Sequence, residues 1–225
     1  MELDHVVPWG RSFAEYHRMF NLVPADLGKR ILGCGDGPAS FNATLTAQGG
    51  RVVSCDPIYR FSAEAIRSRV DAAYPEIMAK VRASASNYLW GELGTVEQLG
   101  KVRMAAMTAF LSDFQAGYEQ GRYRDAALPD LPFEDSAFDL ALCSHYLFLY
   151  SDHLDEEGHL QGMRELCRVA KEVRVFPLVA LDGNHSRHLD AVMAALADEG
   201  IRTSLEPVDY RFQKGATEML VARGD

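Results

Sequence analysis

The spacing of hydrophobic residues along the chain predicts strands and helices in alternation. Continuous apolar runs bounded by turn residues are typical of buried strands, and such runs occupy Lys29–Cys34, Arg51–Cys55, Phe138–Cys143 and Val173–Ala180. Residues that recur at helical intervals predict helices over Arg11–Leu22, Pro38–Gln48, Ser62–Gly121, Gly158–Ala170 and His188–Glu199. A weak strand is predicted near Arg122–Arg124, and the two last strands, joined by Lys214 and Gly215, are predicted as a hairpin over Thr203–Phe212 and Glu218–Ala222.

This order of elements predicts the fold class. Strands that alternate with helices form mostly parallel sheets, because each parallel connection crosses over one face of the sheet. We therefore expect an α/β fold: a doubly wound, mostly parallel seven-stranded sheet with helices on both faces, and one antiparallel strand at its edge from the C-terminal hairpin. With 225 residues, the whole of 1–225 is expected to form a single domain. The helical insertion after strand two, about 60–121, is either a lid over a pocket or a unit with its own core.

Composition and charge narrow the class of protein. Hydrophobic residues make up 48% of the chain and charged residues 24%, as is usual in globular proteins. The formal net charge of -9 disfavours contact with phosphate backbones, so no nucleic-acid partner is expected. No run reaches the length of a membrane helix, and Met1–Asp4 lacks the character of a signal peptide. We expect a cytoplasmic monomer or homodimer without a membrane partner, and reduced, buried thiols at Cys34, Cys55, Cys143 and Cys167.

A glycine-rich turn, residues 35–39, follows the first predicted strand and leads into a helix. Glycine lets the backbone approach a ligand closely, and the start of the helix offers unpaired N–H groups. Asp56 ends the second strand, 21 residues after Gly35, where doubly wound nucleotide folds place the acid that accepts ribose hydroxyls. The alternative is that Asp56 only caps the turn before Pro57.

Three segments, residues 28–56, 131–150 and 165–177, together resemble the class I S-adenosylmethionine-dependent methyltransferases. The run Leu131-Pro-Phe-Glu-Asp-Ser-Ala-Phe-Asp-Leu140 closely matches the family's approach to its fourth strand, and Arg164–Ala170 resembles the helix before its fifth. The resemblance covers nearly the whole chain except about 57–125. It implies a Rossmann-like fold, S-adenosyl-L-methionine as the cofactor, S-adenosyl-L-homocysteine as its product, and methyl transfer as the reaction.

The resemblance also implies which residues hold the cofactor. They lie at the end of strand one, at the end of strand two and after strands three and four: Gly33, Cys34, Gly35, Gly37, Asp56, Pro57, Asp125 and Ser144. One position departs from the family, because Gly33 stands where the family normally has Asp or Glu. Asp36, inside the turn, either compensates for the missing acid or faces solvent beside the helix start.

His145 and Tyr146 are the candidate catalytic residues, because ligands of open α/β sheets lie beyond the carboxyl ends of the strands. A histidine can remove a proton from an acceptor near neutral pH. The alternative is that His145 only packs against the cofactor. No metal is expected, although the acids and histidines of 151–159 leave a metal-dependent reaction as another alternative.

These observations predict a methyltransferase that acts on a small molecule. The chain lacks an Asn-Pro-Pro-Tyr-type loop, which in related families marks methylation of amino groups on bases or glutamines. A dinucleotide-dependent dehydrogenase is disfavoured, because the turn lacks the third glycine of the GxGxxG spacing. The alternative from another class is a noncatalytic S-adenosylmethionine-binding or interaction protein that retains the fold, a reading that Gly33 keeps open.

Overall fold

In the computed structural model, which describes residues 8–91 and 93–224, seven strands form one sheet. The strands are β1 (Arg30–Cys34), β2 (Arg51–Cys55), β3 (Tyr123–Arg124), β4 (Leu140–Ser144), β5 (Glu172–Phe176), β6 (Arg202–Pro207) and β7 (Glu218–Arg223). Their order in space is β3-β2-β1-β4-β5-β7-β6. Strands β1 to β5 pair in parallel, whereas β7 is antiparallel to both of its neighbours. The predicted fold class is confirmed, but the antiparallel strand lies between β5 and β6, so the expectation of an antiparallel edge strand was wrong.

Helices cover both faces of the sheet, as predicted. They are α1 (Phe13–Met19), α2 (Pro24–Leu27), α3 (Phe41–Ala47), α4 (Ala63–Ala83), α5 (Val96–Glu119), α6 (Glu156–Val169) and α7 (Leu189–Asp198). Successive residues of a strand point to opposite faces, so Ile31 packs in the core formed with α1 and α3, and Leu32 packs in the core formed with α6 and α7. Each face of the sheet therefore has its own hydrophobic core.

Two predicted strands were too long at their C-terminal ends. Strand β5 ends at Phe176 because Pro177 has no N–H to donate to a sheet ladder. Strand β6 ends at Pro207, and the chain that follows it turns inward, with Tyr210 and Phe212 buried in the core on the α1 side. The segment between β6 and β7 is thus a core-filling connection instead of a tight hairpin turn.

The insertion after β2 consists of α4 and α5, which share a core of their own. That core contains Ile66, Val70, Met107, Phe110, Leu111 and Phe114, and it includes Tyr59, which follows β2, and Tyr123 of β3. Helix α5 begins where the Thr95 side chain accepts a hydrogen bond from the Gln98 amide at 3.1 Å. The insertion therefore has a hydrophobic core of its own in part. Its role as a lid stays a prediction.

Buried cysteines lie side by side on three neighbouring strands. Cys34 of β1 is in register with Cys55 of β2 and with Cys143 of β4. All four cysteines are free thiols, although Cys167 is only partly buried. Burial raises the pKa of the Cys55 and Cys143 thiols to about 12, so they stay protonated and unreactive at neutral pH.

Across residues 8–91 and 93–224, every helix is too short or too polar to span a lipid bilayer. The start of the chain, Met1–Asp4, entered the expectation of a cytoplasmic location and lies outside the described residues.

Candidate functional site

Two neighbouring cavities lie beyond the carboxyl ends of β1, β2 and β4. The larger has a volume of about 630 Å³ and the smaller about 100 Å³. Gly35, Gly37 and Asp56 line both of them, so the turn after β1 and the acid after β2 lie where the two cavities meet. This is the edge at which open α/β sheets bind ligands.

The turn after β1 presents bare backbone to the cavities. Gly35 has a φ of 70° and Gly37 a φ of 53°, a left-handed conformation that glycine adopts without steric cost. A Cβ added to Gly35 would lie 2.9 Å from the Cβ of Tyr146, which leaves no room for a side chain. The two glycines therefore allow a ligand to approach the backbone closely.

Asp56 both caps a turn and holds the β1 turn in place. Its Oδ1 accepts a hydrogen bond from the Ile58 amide at 2.8 Å, and its Oδ2 accepts one from the Gly37 amide at 2.9 Å. Burial raises the pKa of this carboxyl, although the two amide donors oppose the rise. Each carboxylate oxygen has a second lone pair, so capping and acceptance of ligand hydroxyls are compatible roles.

The carboxylate of Asp36 is buried beneath the turn, with 7% of the residue exposed. Tyr16 donates its hydroxyl to Oδ1 at 2.7 Å, and Ser54 donates its hydroxyl to Oδ2 at 2.6 Å. A Cβ added to Gly33 would lie 1.8 Å from Oδ2. The alternative in which Asp36 faces solvent was wrong: its carboxylate occupies the space that a side chain at position 33 would need.

Burial raises the pKa of Asp36 to about 6, against the opposing hydrogen bonds from Ser54 and Tyr16. The carboxylate of Asp56 adds to the rise by repulsion. The site therefore holds two carboxyl groups near one turn: Asp36 and Asp56 both line the smaller cavity, and Asp56 also lines the larger one. Their proximity makes the local charge sensitive to pH just below neutrality.

His145 and Ser144 line the smaller cavity. The Ser144 Oγ lies 3.0 Å from Nδ1 of His145, and the ring packs edge-on against Phe176. Burial, and then the positive charges of Arg11 and Arg103, lower the pKa of His145 well below its usual value. The ring is therefore neutral at pH 7, and among the described residues nothing hydrogen-bonds its Nε2.

Tyr146 lines the larger cavity together with Cys34 and Pro57. Burial raises the pKa of the Tyr146 hydroxyl to about 12. The two candidate catalytic residues thus lie in different cavities. Asp125 lines neither of them; its carboxylate pairs with Arg60 at 3.2 Å, and the larger cavity is lined by the next three residues, 126–128. Ligand contacts at all of these positions stay predictions.

Several cavity residues were missed from the sequence. Helix α4 lines both cavities, with Ala72, Ala73 and Glu76 in the larger and Ile77 and Val81 in the smaller. In the sequence, only the aromatic residues of the insertion indicated that its helices could lie against the cavities. The N-terminal segment is an exception: the resemblance to class I methyltransferases implies that residues 9–13 fold over the cofactor, and Trp9 and Arg11 line the smaller cavity.

The segment after α4 is joined to the connection between β6 and β7 beside the smaller cavity. The Leu89 amide donates to the Phe212 carbonyl at 2.7 Å, and the Lys214 amide donates to the Asn87 carbonyl at 3.0 Å. The rings of Tyr88 and Phe212, which line this cavity, stack at 4.6 Å. One wall of the smaller cavity is therefore aromatic and is built from two distant parts of the chain.

No three histidine, cysteine or acidic side chains come together as metal ligands in the described part of the chain. His159, one of the residues behind the metal-dependent alternative, has its Nδ1 2.7 Å from the Asp155 carbonyl. Its ring also lies 4.7 Å from that of His188. These contacts give His159 a packing role between α6 and the start of α7.

Comparison with known proteins supports the fold assignment. No family model matches the chain. Protein MJ0045 of Methanocaldococcus jannaschii, described as uncharacterized, is 31% identical over 224 residues, which cover 99% of this chain and 98% of that protein. The structure of mitomycin 7-O-methyltransferase MmcR is similar with a TM-score of 0.52 and 12% identity over 95% of this chain, which spans about half (54%) of that chain.

Magnesium protoporphyrin IX methyltransferase (ChlM) from Synechocystis PCC 6803, solved with bound SAM, matches 89% of this chain and 73% of its own at 15% identity, with a TM-score of 0.43. At the identity of the mitomycin enzyme, structural similarity shows a shared fold and nothing about ligands. The chain has the Rossmann-like fold of class I methyltransferases, as the sequence predicted.

Proposed function

We propose that this chain, which belongs to the same family as Methanocaldococcus jannaschii MJ0045, is an S-adenosylmethionine-dependent methyltransferase that acts on a small-molecule acceptor. The observation that carries the proposal is the bare glycine turn beside the Asp56 carboxylate, both placed where two cavities meet. A sulfonium nucleoside needs one cavity for its nucleoside and a second for its reacting end. The larger and the smaller cavity would take these two parts.

The residues of the larger cavity fit the nucleoside of the cofactor. Its volume of about 630 Å³ lies within the range of small-molecule sites. Asp56 would accept the ribose hydroxyls, and Cys34, Pro57 and Tyr146 would form apolar walls around the nucleoside. The turn at Gly35 and Gly37 would lie along the path between the nucleoside and the sulfur.

The smaller cavity, of about 100 Å³, would hold the reacting end of the cofactor, and the acceptor would bind beside it. When bound, the cofactor supplies a methyl group on a positively charged sulfur, which a nucleophile attacks in line. The protein's part is to orient the acceptor and exclude water, and the aromatic wall of Tyr88 and Phe212 serves both purposes. Neutral His145 would accept the acceptor's proton at Nε2 while Ser144 holds the ring through Nδ1. Tyr146 stays protonated and acts as a wall.

Calorimetry with S-adenosylhomocysteine tests the cofactor site. Replacement of Asp56 by Ala or Asn is expected to weaken binding about 10- to 100-fold, because hydrogen bonds to a charged acceptor are lost. The Asn variant keeps the shape of the side chain and guards against loss of the fold. Asp198→Ala, at the exposed end of α7, is the matched control and should bind normally. Normal binding by both Asp56 variants would contradict the proposed site.

A methyl-transfer screen separates an enzyme from a noncatalytic binding protein. The noncatalytic alternative was kept open by the absence of an acid at Gly33, and the buried carboxylate of Asp36 in the same space weakens that argument. Transfer to any acceptor, detected as S-adenosylhomocysteine release, would establish the activity. Tight cofactor binding with no transfer across oxygen, nitrogen and sulfur acceptors would instead favour the binding protein.

A further inference from the structure

Arg11 brings a positive charge to the smaller cavity without a carboxylate partner. Its Nη1 donates a hydrogen bond to the Trp9 carbonyl at 2.6 Å. Its Nε is buried and has no hydrogen-bond partner. Within residues 8–91 and 93–224, no acidic side chain forms an ion pair with this guanidinium. Arg11 lines the cavity beside Gly35 and His145, so its unused donors are close to where a ligand would lie.

The carboxylate of Glu15, whose charge acts on Arg11, is already engaged by another arginine. Glu15 pairs with Arg103 and also accepts a hydrogen bond from the Tyr210 hydroxyl at 2.7 Å. Burial opposes ionisation of Glu15, but the charge of Arg103 outweighs it and lowers the pKa of Glu15. Of the two neighbouring guanidinium groups, buried Arg103 and half-buried Arg11, Glu15 therefore contacts only that of Arg103.

The other polar groups around Arg11 do not supply the missing charge. Tyr16 donates its hydroxyl to Asp36, whose second oxygen is occupied by Ser54. His145 is neutral at pH 7. Burial and the charge of Arg103 lower the pKa of Arg11 to about 10, so it remains protonated at neutral pH. A half-buried cation without an ion-pair partner is partly desolvated, and an anionic ligand would relieve that cost.

We infer that Arg11 is a binding site for a ligand carboxylate. The planar guanidinium fork matches the two oxygens of a carboxylate, which is why arginine suits this task. Two ligands of the proposed reaction offer this chemistry: the amino-acid end of the cofactor, and an acceptor that is itself a small carboxylic acid. The inference rests on the proposed function for the identity of those ligands, but the unpaired cation is a property of the chain alone.

Three variants test this role. Arg11→Met removes the charge and keeps the length, Arg11→Lys keeps the charge without the fork, and Arg51→Met is the control at an exposed arginine where β2 begins. Without ligand, Arg11→Met should fold at least as well as the wild type, because it removes a half-buried charge that has no ion-pair partner. A purely structural arginine would instead lower the melting temperature when replaced.

Calorimetry with chosen ligands then separates the two sources of the carboxylate. S-adenosylhomocysteine carries the amino-acid end, and 5′-methylthioadenosine has the same nucleoside and sulfur without it. Benzoate and benzamide, added to the protein loaded with S-adenosylhomocysteine, probe the aromatic acceptor wall with and without a charge. If the cofactor's carboxylate is the partner, Arg11→Met weakens S-adenosylhomocysteine about 10- to 100-fold and leaves 5′-methylthioadenosine unchanged. If the acceptor's carboxylate is the partner, only benzoate binding is lost.

The inference is overturned if Arg11→Met binds S-adenosylhomocysteine and benzoate as the wild type does. It is also overturned if Arg11→Lys matches Arg11→Met in melting temperature and both fall below the wild type, since Arg11 would then be structural. Failure of the wild type to bind either nucleoside would refute the proposed function. In that case benzoate binding by the protein alone still decides whether Arg11 recognises a carboxylate.

Discussion

The close approach of Asp36 to Gly33 predicts that Gly33→Ala destabilises the protein strongly. The new Cβ would lie 1.8 Å from Oδ2 and 2.5 Å from Cγ of Asp36, so the carboxylate would have to leave its place. It would then lose the hydrogen bonds from Tyr16 and Ser54. Each hydrogen bond to a charged group is worth about 1.5–3 kcal/mol. We expect the lower end, a loss of about 3 kcal/mol in all, because both hydroxyls can find other partners.

Urea unfolding at pH 7 measures this loss, with Gly28→Ala as the control. A Cβ on Gly28 would meet its nearest atom, the Ala25 carbonyl oxygen, at 3.8 Å, and the φ of Gly28 is -86°. That substitution should therefore change the free energy of unfolding by less than about 1 kcal/mol.

A double-mutant cycle identifies the cause of the loss. Asp36→Ala removes the obstructing carboxylate, so adding Gly33→Ala to it should cost less than about 1 kcal/mol more. The reasoning is refuted if Gly33→Ala is as mild as the Gly28 control. It is equally refuted if Gly33→Ala costs the same with and without Asp36, because the clash would then lie elsewhere.

Three further predictions concern buried charge and catalysis. The pKa of Asp36 is about 6 in the folded protein and about 3.9 in an unfolded chain, so between these pH values the folded state retains a proton that the unfolded state has lost. The free energy of unfolding should therefore fall by up to about 3 kcal/mol as pH rises from 4 to 6. Urea unfolding across this range should show that slope flattened in Asp36→Asn, and an unchanged slope would contradict the assignment. Arg103→Met leaves Glu15 buried without its cation and should cost about 3–5 kcal/mol; a thermal melt equal to the wild type would show that the pair contributes nothing. His145→Ala should keep S-adenosylhomocysteine affinity within about twofold yet slow methyl transfer at least about 100-fold, whereas an unchanged rate would leave the ring as a wall.

Local patterns in the sequence were enough to predict the fold, and they place the proposed site at the edge of the sheet where the two cavities lie. The run from Leu131 to Leu140 and the turn at Gly35–Gly37 depend on neighbouring residues only, so they can be recognised without knowledge of the fold. The place of β7 between β5 and β6 could not be predicted in this way, because strand order depends on how distant segments pair.

The interior of the site depends on contacts between distant residues. Asp36 is buried because Tyr16 from α1 and Ser54 from β2 donate hydrogen bonds to it, and a pattern of neighbours contains neither contact. The unpaired state of Arg11 likewise follows from the capture of Glu15 by Arg103 of α5, 88 residues further along the chain. A sequence shows which charges are present, and the fold decides which of them remain without partners.

The contact between the segment after α4 and the connection before β7 lies apart from the turn after β1. Mutations can therefore change the smaller cavity and the turn independently. Tyr88 and Phe212 shape one wall of the smaller cavity, the proposed acceptor side, whereas the hydrogen bond from the Gly37 amide to Asp56 holds the backbone turn between the cavities. Mutations in either of the two aromatic segments can change the shape of the smaller cavity while the turn keeps its geometry. Under the proposed function, relatives that share this architecture can therefore differ in their acceptor while the part of the site that would hold the nucleoside is unchanged.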